Sequence, residues 1–339
     1  MKKIGIIGAT GYTGEELLLV LTRHPDVSVA FVTSEQEAGT SLANFFPHLP
    51  RYKNVTFLSA QEAVDIDVAL VFLCLPTGHS AKWAKPFVEK SIKVIDLGAD
   101  FRYDDAATYK QWCGMDHPRP ELLEGIVYGL PEWNRDKIKN ARIVSNPGCY
   151  PTTVLLALIP FLKAGVLTNE SIVIDSKSGV SGAGASPTKT THFGEIHESF
   201  SAYKPGRVHR HVGEMEQELS KYANRKIQIV FTPHLVPIFR GLYSTIYVRL
   251  QSKLDRSDLL KILNEAYAEE PFVIVLDEKF PAAKLATHSN FCFLSVTTVA
   301  DSDVAILFST IDNLGKGASW QAVQNMNLML NFPEQEGLV

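Results

Sequence analysis

The stretch KKIGIIGATGYTGEELLLVLTRHPDVSVAFVTS, residues 2–34, decides the fold. KKIGIIG is a short apolar strand, ATGYTG a glycine turn, EELLLVLTRHP a helix stopped near Pro25, and VSVAFVTS a second strand. The chain therefore opens as β-turn-α-β. Gly8, Gly11 and Gly14 stand at the strand-to-helix corner, where a bare backbone approaches a pyrophosphate and the N–H groups of the helix start bind it. A glycine turn also serves plain helix-strand packing, but the strand before it and the helix after it favour the nucleotide reading.

Two more apolar strands follow, DVALVFLCLP (67–76) and KVIDLGADF (93–101). A parallel sheet binds ligands at the carboxyl ends of its strands, which places PTGHS (76–80) and DLGADFR (96–102) at the crevice. Cys74, inside its strand, reads as core, and His79 as a loop histidine open to either ligand or solvent. Beyond residue 148 the pattern changes to a long helix, about 151–164, and six apolar, often alternating strands: SIVIDSKSG, KIQIVFTPHLVPI, GLYSTIYVRL, FVIVLDE, NFCFLSVTTVA and VAILFSTID. These predict an α+β domain with a mixed, mainly antiparallel sheet. A last helix, GASWQAVQNMNLML, is expected to return to the first domain.

At 339 residues the chain exceeds the size at which a single core stops growing, so two domains are expected. A net charge of -4 without runs of like charge gives no footprint for nucleic acid. No segment has the uninterrupted apolar length of a membrane span, and the start MKKIGIIGATG breaks into glycine too early for a signal peptide, so the reading is cytoplasmic. Cys74, Cys113, Cys149 and Cys292 are far apart and form no zinc spacing, so no disulfide framework and no metal are expected.

Cys149 lies in SNPGCYPT, between a Pro-Gly turn and a helix entered through Pro151. The positive end of a helix dipole favours thiolate over thiol, which suits a nucleophile. Position alone leaves that role and an inert core thiol both open. HRHVGEMEQ (209–217) supplies His209, Arg210, His211 and Glu214, the proton-handling groups that a thiolate needs, with the working histidine undecided. His234, between two prolines, reads as part of a turn. Two decoys carry little weight. YANRK (222–226) has Tyr-x-x-x-Lys spacing where a helix gives way to a strand, and GKGAS (315–319) lacks the glycine spacing of a phosphate-binding loop.

GATGYTG, SNPGCYPT and HRHVGEMEQ together, with DLGADFR, YGLPE (128–132), SGVSGAG (178–184), TPHLVP (232–237) and IDNLGKGASWQAVQNMN (311–327), resemble the N-acetyl-gamma-glutamyl-phosphate reductase family along nearly the whole chain. The resemblance implies an α/β architecture with a Rossmann dinucleotide-binding domain over 1–148, completed by 312–339. An inserted α+β catalytic and oligomerisation domain fills 149–311. It implies NADP-dependent reductive dephosphorylation of an acyl phosphate in arginine biosynthesis, with release of inorganic phosphate. Cys149 is then the nucleophile that forms a thioester, and His209 or His211 the acid/base. Backbone N–H groups at the same helix start would hold the developing oxyanion. Carried over residue by residue, the cofactor would meet Gly8, Thr10, Gly11, Tyr12, Thr13, Gly14, Ser34, Pro76, Ser178, Gly179, Gly182 and Asn313. The substrate would meet Arg102, Asn146, Arg210 and Glu214, in a homodimer or homotetramer.

Two departures stand out. The family pattern Ser-Arg-x-x-Ala-Gly-Lys after the second strand is SEQEAGT (34–40) here, so Glu35 and Thr40 replace the bases that suit a 2′-phosphate, and NAD stays open beside NADP. Gly213 stands where the family often has proline. Alternatives are the same chemistry on an N-succinyl or carrier-bound aminoadipyl phosphate, and, from another class, a Cys-His hydrolase or acyltransferase.

Overall fold

The computed structural model spans residues 1–339 and describes all of them except Ser171, so the first residue of the strand expected over 171–179 lies outside the described residues. The chain folds as two units, Met1–Pro147 with Ala318–Val339, and Gly148–Gly317.

The first unit is built on seven parallel strands: β1 (Lys2–Ile7), β2 (Val27–Thr33), β3 (Phe57–Leu58), β4 (Leu70–Leu73), β5 (Lys93–Asp96), β6 (Val127–Tyr128) and β7 (Ile143–Ser145). Their order is β3-β2-β1-β4-β5-β7-β6, so the winding reverses between β1 and β4. Ile4, Ile6, Ile7, Leu70, Val71, Phe72 and Leu73 are all buried, the near-continuous apolar runs of strands covered on both faces. The connections carry α1 (Tyr12–Leu21), α2 (Leu42–Phe45), α3 (Ala60–Ala63), α4 (Ser80–Glu89), α5 (Ala106–Cys113) and α6 (Pro131–Asn140).

The second unit holds β8 (Ile172–Gly179), β9 (Ser201–Ala202), β10 (Ile229–Val236), β11 (Leu242–Arg249), β12 (Val273–Val275), β13 (Cys292–Thr298) and β14 (Val304–Ile311). The order is β12-β13-β14-β11-β8-β10-β9, and among the described residues β8/β10 and β12/β13 are the parallel pairs. The sheet is thus mixed and mainly antiparallel. Its helices are α7 (Cys149–Lys163), α8 (Phe193–Ile196), α9 (His211–Ala223), α10 (Arg256–Tyr267) and α11 (Ala283–Ala286). In α7 every residue from Tyr150 to Leu162 is buried, as its all-round apolar sequence requires. It packs on β11 and β14 and against α9 and α10. On the uncovered face Val230, Val173 and Tyr247 lie side by side in register and are 50%, 40% and 40% exposed. His234 corrects the expectation of a turn: it lies within β10, with Nδ1 3.1 Å from Asp175 Oδ1 on the neighbouring strand.

The chain ends with α12 (Trp320–Leu330), in the first unit. It packs against α1 and α6 and buries polar as well as apolar side chains, Gln321, Gln324, Asn325 and Asn327 among them. Buried amides need partners. Asn325 Nδ2 donates to Gly129 O at 2.9 Å and to Asn146 Oδ1 at 3.0 Å, while Asn327 Oδ1 lies 3.0 Å from His24 Nε2. Asn325→Ala strands both acceptors in the interior and is expected to cost about 1–3 kcal/mol. The check is a lower urea midpoint with an unchanged far-ultraviolet circular dichroism spectrum.

Candidate active site

The glycine turn divides its work among its three glycines. Gly8 has φ +82°, and a side chain there would strike Cys74 O at 2.7 Å. Gly14 lies so close to the strand end that a Cβ would stand 2.4 Å from Ala9 O. At Gly11, by contrast, a Cβ would meet nothing within 4 Å. Gly11 is also the N-cap of α1, extended and without a side-chain cap, so the helix start faces open space beside a bare backbone. Tight turn, open approach and close packing are the three requirements of a dinucleotide cradle, and the residues present fit one. Thr33, the last residue of β2, holds the turn: Gly8 N–H donates to Thr33 Oγ1 at 3.1 Å and Ala9 N–H to Thr33 O at 2.9 Å. Thr10, Tyr12 and Thr13 belong to this turn and the first residues of α1, and Thr13 O accepts the Ser319 hydroxyl at 2.8 Å. Ser34 is buried, its Oγ accepting Glu37 N–H at 3.3 Å.

PTGHS and DLGADFR are tied together by Asp100, a residue that sequence reasoning passed over. Its buried carboxylate accepts Gly78 N–H at 2.6 Å, Ala81 N–H at 3.0 Å and the Tyr109 hydroxyl at 3.1 Å, fixing the loop that enters α4. Asp96, fully buried beside it, is pushed up to about 6 by burial and then by the Asp100 charge. Pro76 and His79 are exposed on this loop. Cys74 behaves as read: burial pushes its thiol up to about 12, the range of a non-reactive thiol.

Arg102 and Asn146, expected at the substrate, make hydrogen bonds within the first unit. Arg102 is buried and donates from Nε to Asn146 O at 3.1 Å and from NH2 to Leu97 O at 3.0 Å. Asn146 is 1% exposed; its Nδ2 donates to Ala318 O and its Oδ1 accepts from Asn325, each at 3.0 Å. Both brace the chain just before Cys149. Each end of the Asn146 amide thus has a partner within the first unit.

In the second unit Cys149 is the first residue of α7, behind an extended Gly148 N-cap. The Gly148 N–H donates to Glu214 Oε1 at 2.8 Å, and Glu214, in the first turn of α9, is 1% exposed. Glu214 was expected to touch substrate, yet this bond makes it the anchor of the nucleophile's turn. It also removes one backbone N–H from those expected to hold an oxyanion. Tyr150 follows Cys149 into the interior, its hydroxyl donating to His234 O at 3.3 Å and accepting the Tyr203 hydroxyl at 3.2 Å. Burial pushes both phenols upward, so both stay protonated donors.

The Tyr150 ring meets His209 and His211 edge-on, with centroids at 5.8 and 5.9 Å, and the two histidine rings lie 4.6 Å apart. His209 Nδ1 accepts the backbone N–H of His211 at 3.1 Å, which leaves the proton of the neutral ring on Nε2. Burial first, then the Arg210 and Lys204 charges, push His209 down to about 3. Arg210 itself is exposed at the N-cap of α9.

The Asn313 amide is tied at both ends: its Nδ2 donates to Ser181 Oγ and its Oδ1 accepts Gly241 N–H, both at 2.8 Å, which holds the turn after Ser178 and Gly179. Gly182 packs so near that a Cβ would stand 2.8 Å from Ser178 Oγ. Asp312 was not foreseen. Buried, it pairs with Arg240 Nε at 2.9 Å and accepts the N–H groups of Leu314 and Gly315. These bonds hold the π-helical turn Gly315–Ser319, whose Gly317 would place a Cβ 2.9 Å from Cys149 Cβ. The GKGAS string is thus a scaffold for the nucleophile. Among the described residues no cluster of His, Cys, Asp or Glu is placed to hold a metal, and no helix is long and apolar enough to cross a membrane.

Comparison with known proteins places these features in company. Residues 3–141 match the family model "Semialdehyde dehydrogenase, NAD binding domain" and residues 149–313 match "Semialdehyde dehydrogenase, dimerisation domain". An N-acetyl-gamma-glutamyl-phosphate reductase of Desulforudis audaxviator is 46% identical over 100% of this chain and 98% of its own length. A probable chloroplastic N-acetyl-gamma-glutamyl-phosphate reductase of Arabidopsis thaliana is 45% identical over 99% of this chain and 84% of that protein. Among solved structures, aspartate semialdehyde dehydrogenase II of Vibrio cholerae superposes with a TM-score of 0.75 at 22% identity, covering 98% of each chain. The Candida albicans aspartate semialdehyde dehydrogenase solved with NADP gives 0.73 at 16%, covering 97% of this chain and 98% of that one.

His209 has a measurable thermodynamic signature. The folded ring stays neutral down to a pH near 3, whereas the unfolded chain takes up a proton near 6.5. Below 6.5 the unfolded state therefore binds more protons, and stability falls as pH falls. His209→Asn is expected to flatten the slope of stability against pH between about 6.5 and 4, read from urea midpoints across that range. An unchanged slope would show that His209 protonates in the folded state.

Proposed function

We infer the reaction from one premise: this chain belongs to the N-acetyl-gamma-glutamyl-phosphate reductase family, a branch of the semialdehyde dehydrogenases. It catalyses the NAD(P)H-dependent reductive dephosphorylation of N-acetyl-gamma-glutamyl phosphate to N-acetylglutamate 5-semialdehyde, the arginine-pathway step. The observation that carries the chemistry is Cys149 at the first position of α7, with its turn pinned by Glu214 and the paired histidines beside Tyr150.

The Cys149 thiolate attacks the acyl phosphate carbon, the C–O bond to phosphate breaks, and a thioester remains on sulfur. NAD(P)H, when bound, supplies the hydride that reduces this thioester. As the carbonyl oxygen gains charge it takes a proton from His211, giving the thiohemiacetal; that proton then returns to His211, the C–S bond breaks, and the aldehyde leaves with the thiolate restored. Gly8, Gly11 and Gly14 with the start of α1 would hold the pyrophosphate.

His211 takes the hemiacetal proton in this reading. His209 is poorly suited, because its Nδ1 already accepts a hydrogen bond and its Nε2 carries the proton; it serves as a neutral donor toward the developing oxyanion. Arg210, exposed at the start of α9, offers a cation to the substrate's anionic groups. The family match to a dimerisation domain supports an oligomer. The uncovered face of the second unit's sheet, with Val173, Val230 and Tyr247, is the proposed association surface of a homodimer or homotetramer, working in the cytoplasm.

Cys149→Ser is expected to abolish phosphate-dependent oxidation of N-acetylglutamate 5-semialdehyde with the fold intact by circular dichroism; near-normal turnover would sink the thioester reading. His211→Asn is expected to lower kcat by about 10²- to 10⁴-fold while a single-turnover burst of phosphate persists, since acylation precedes the proton step. Loss of the burst itself would move His211 to the acylation step. Steady-state rates on N-acetyl and N-succinyl substrates decide the acyl group.

A further inference from the structure

We propose that Glu35 makes the adenosine end of this cradle selective for an unphosphorylated ribose, so that the chain binds NAD(H) more tightly than NADP(H). The proposal rests on reading the glycine turn as a dinucleotide site. It concerns the lip beside that turn. Thr33 takes hydrogen bonds from both Gly8 and Ala9, so whatever follows Thr33 stands at the edge of the turn that would carry the pyrophosphate. In this winding the adenosine ribose lies at the carboxyl end of the second strand, where a carboxylate accepts from its hydroxyls or a base receives a 2′-phosphate.

The lip is Ser34-Glu35-Gln36-Glu37-Ala38-Gly39-Thr40, with two acids and no Lys or Arg. Glu35 is not a loose surface acid: its Oε1 accepts the backbone N–H of Ala60 at 2.9 Å, which holds the carboxylate at the strand end. Glu37 is pinned through its own N–H to Ser34 Oγ. The first basic residues past the lip in the chain, His48 and Arg51, have partners elsewhere. His48 Nε2 lies 3.1 Å from Glu15 Oε1, and Arg51 donates to Thr22 O. A 2′-phosphate here would face the fixed Glu35 carboxylate. A free 2′-hydroxyl would instead donate to a carboxylate already held in place.

Direct binding separates this proposal from the catalytic reading. NADH and NADPH are titrated into the wild-type chain, Glu35→Gln and Glu35→Arg by fluorescence and calorimetry, without acyl substrate. Glu35→Gln keeps an acceptor for Ala60 N–H and removes only the charge, so it guards against a folding artefact. The expected result is wild-type affinity for NADH about tenfold or more above that for NADPH. Glu35→Arg should tighten NADPH by about tenfold, with Glu35→Gln in between. Tighter wild-type binding of NADPH, or a ratio that neither variant moves, overturns the proposal and leaves the acyl-phosphate chemistry untouched. Binding of neither nucleotide overturns the dinucleotide reading itself, and this proposal with it.

Discussion

The hydrogen bond from the Gly148 N–H to the Glu214 carboxylate is the contact on which the catalytic unit is organised. A carboxyl group 1% exposed is costly unless its surroundings supply donors or positive charge. Glu214 meets that condition because it lies at two helix starts together: it accepts from the N-cap of α7 and sits in the first turn of α9. It thus sits at the positive ends of two helix dipoles and accepts a backbone N–H there. One carboxylate thereby joins the elements whose first residues are Cys149 and His211. The first residues of both helices are placed by the same side chain.

Much of the remaining polar interior fixes loops in the same way. Asp100 gathers the loop entering α4, Asp312 the π-helical turn under Cys149, and Asn313 the turn after β8. Asn146 and Arg102 do this for the segment that leads to Cys149. Such loops must carry irregular backbone at the edge of a packed core, where every buried N–H and C=O needs a partner. Short acids and amides supply those partners without adding bulk. This is why the strings NPGC, ADFR and DNLGKG look like ligand-binding motifs: a buried polar residue beside glycine signals a constrained loop, whether or not its side chain touches substrate.

That ambiguity marks how far the sequence is legible. The architecture of both sheets follows from hydrophobic pattern, since β1, β4 and β5 read as continuous apolar runs and β8 and β11 as alternating ones. The two-residue strands β3, β6 and β9 do not, because two residues carry no period. His234 misleads because its prolines suggest a turn. Pro233 and Pro237 nonetheless bracket it at the end of β10, where the adjoining β9 contributes only two residues and little of the backbone needs a ladder partner. The roles of Asp100 and Asp312 are invisible for a different reason. Apart from Tyr109 and Arg240 their partners are backbone groups, and no residue type in the sequence records which N–H will be left over.

The starts of α1 and α7 make the distinction between scaffold and ligand site physical. Both helices open behind an extended glycine N-cap, Gly11 and Gly148, and neither has a side-chain cap. A helix start without a cap leaves donors pointing outward and a partial positive charge that an anion satisfies. At α7 the chain supplies the anion itself, Glu214, and the turn becomes a rigid mount for the residue that follows. At α1 the space beside Gly11 is open. The same local device, glycine then helix, is therefore a structural joint in one unit and an open helix start that fits a diphosphate in the other, and what separates them is whether an internal carboxylate reaches the donors first.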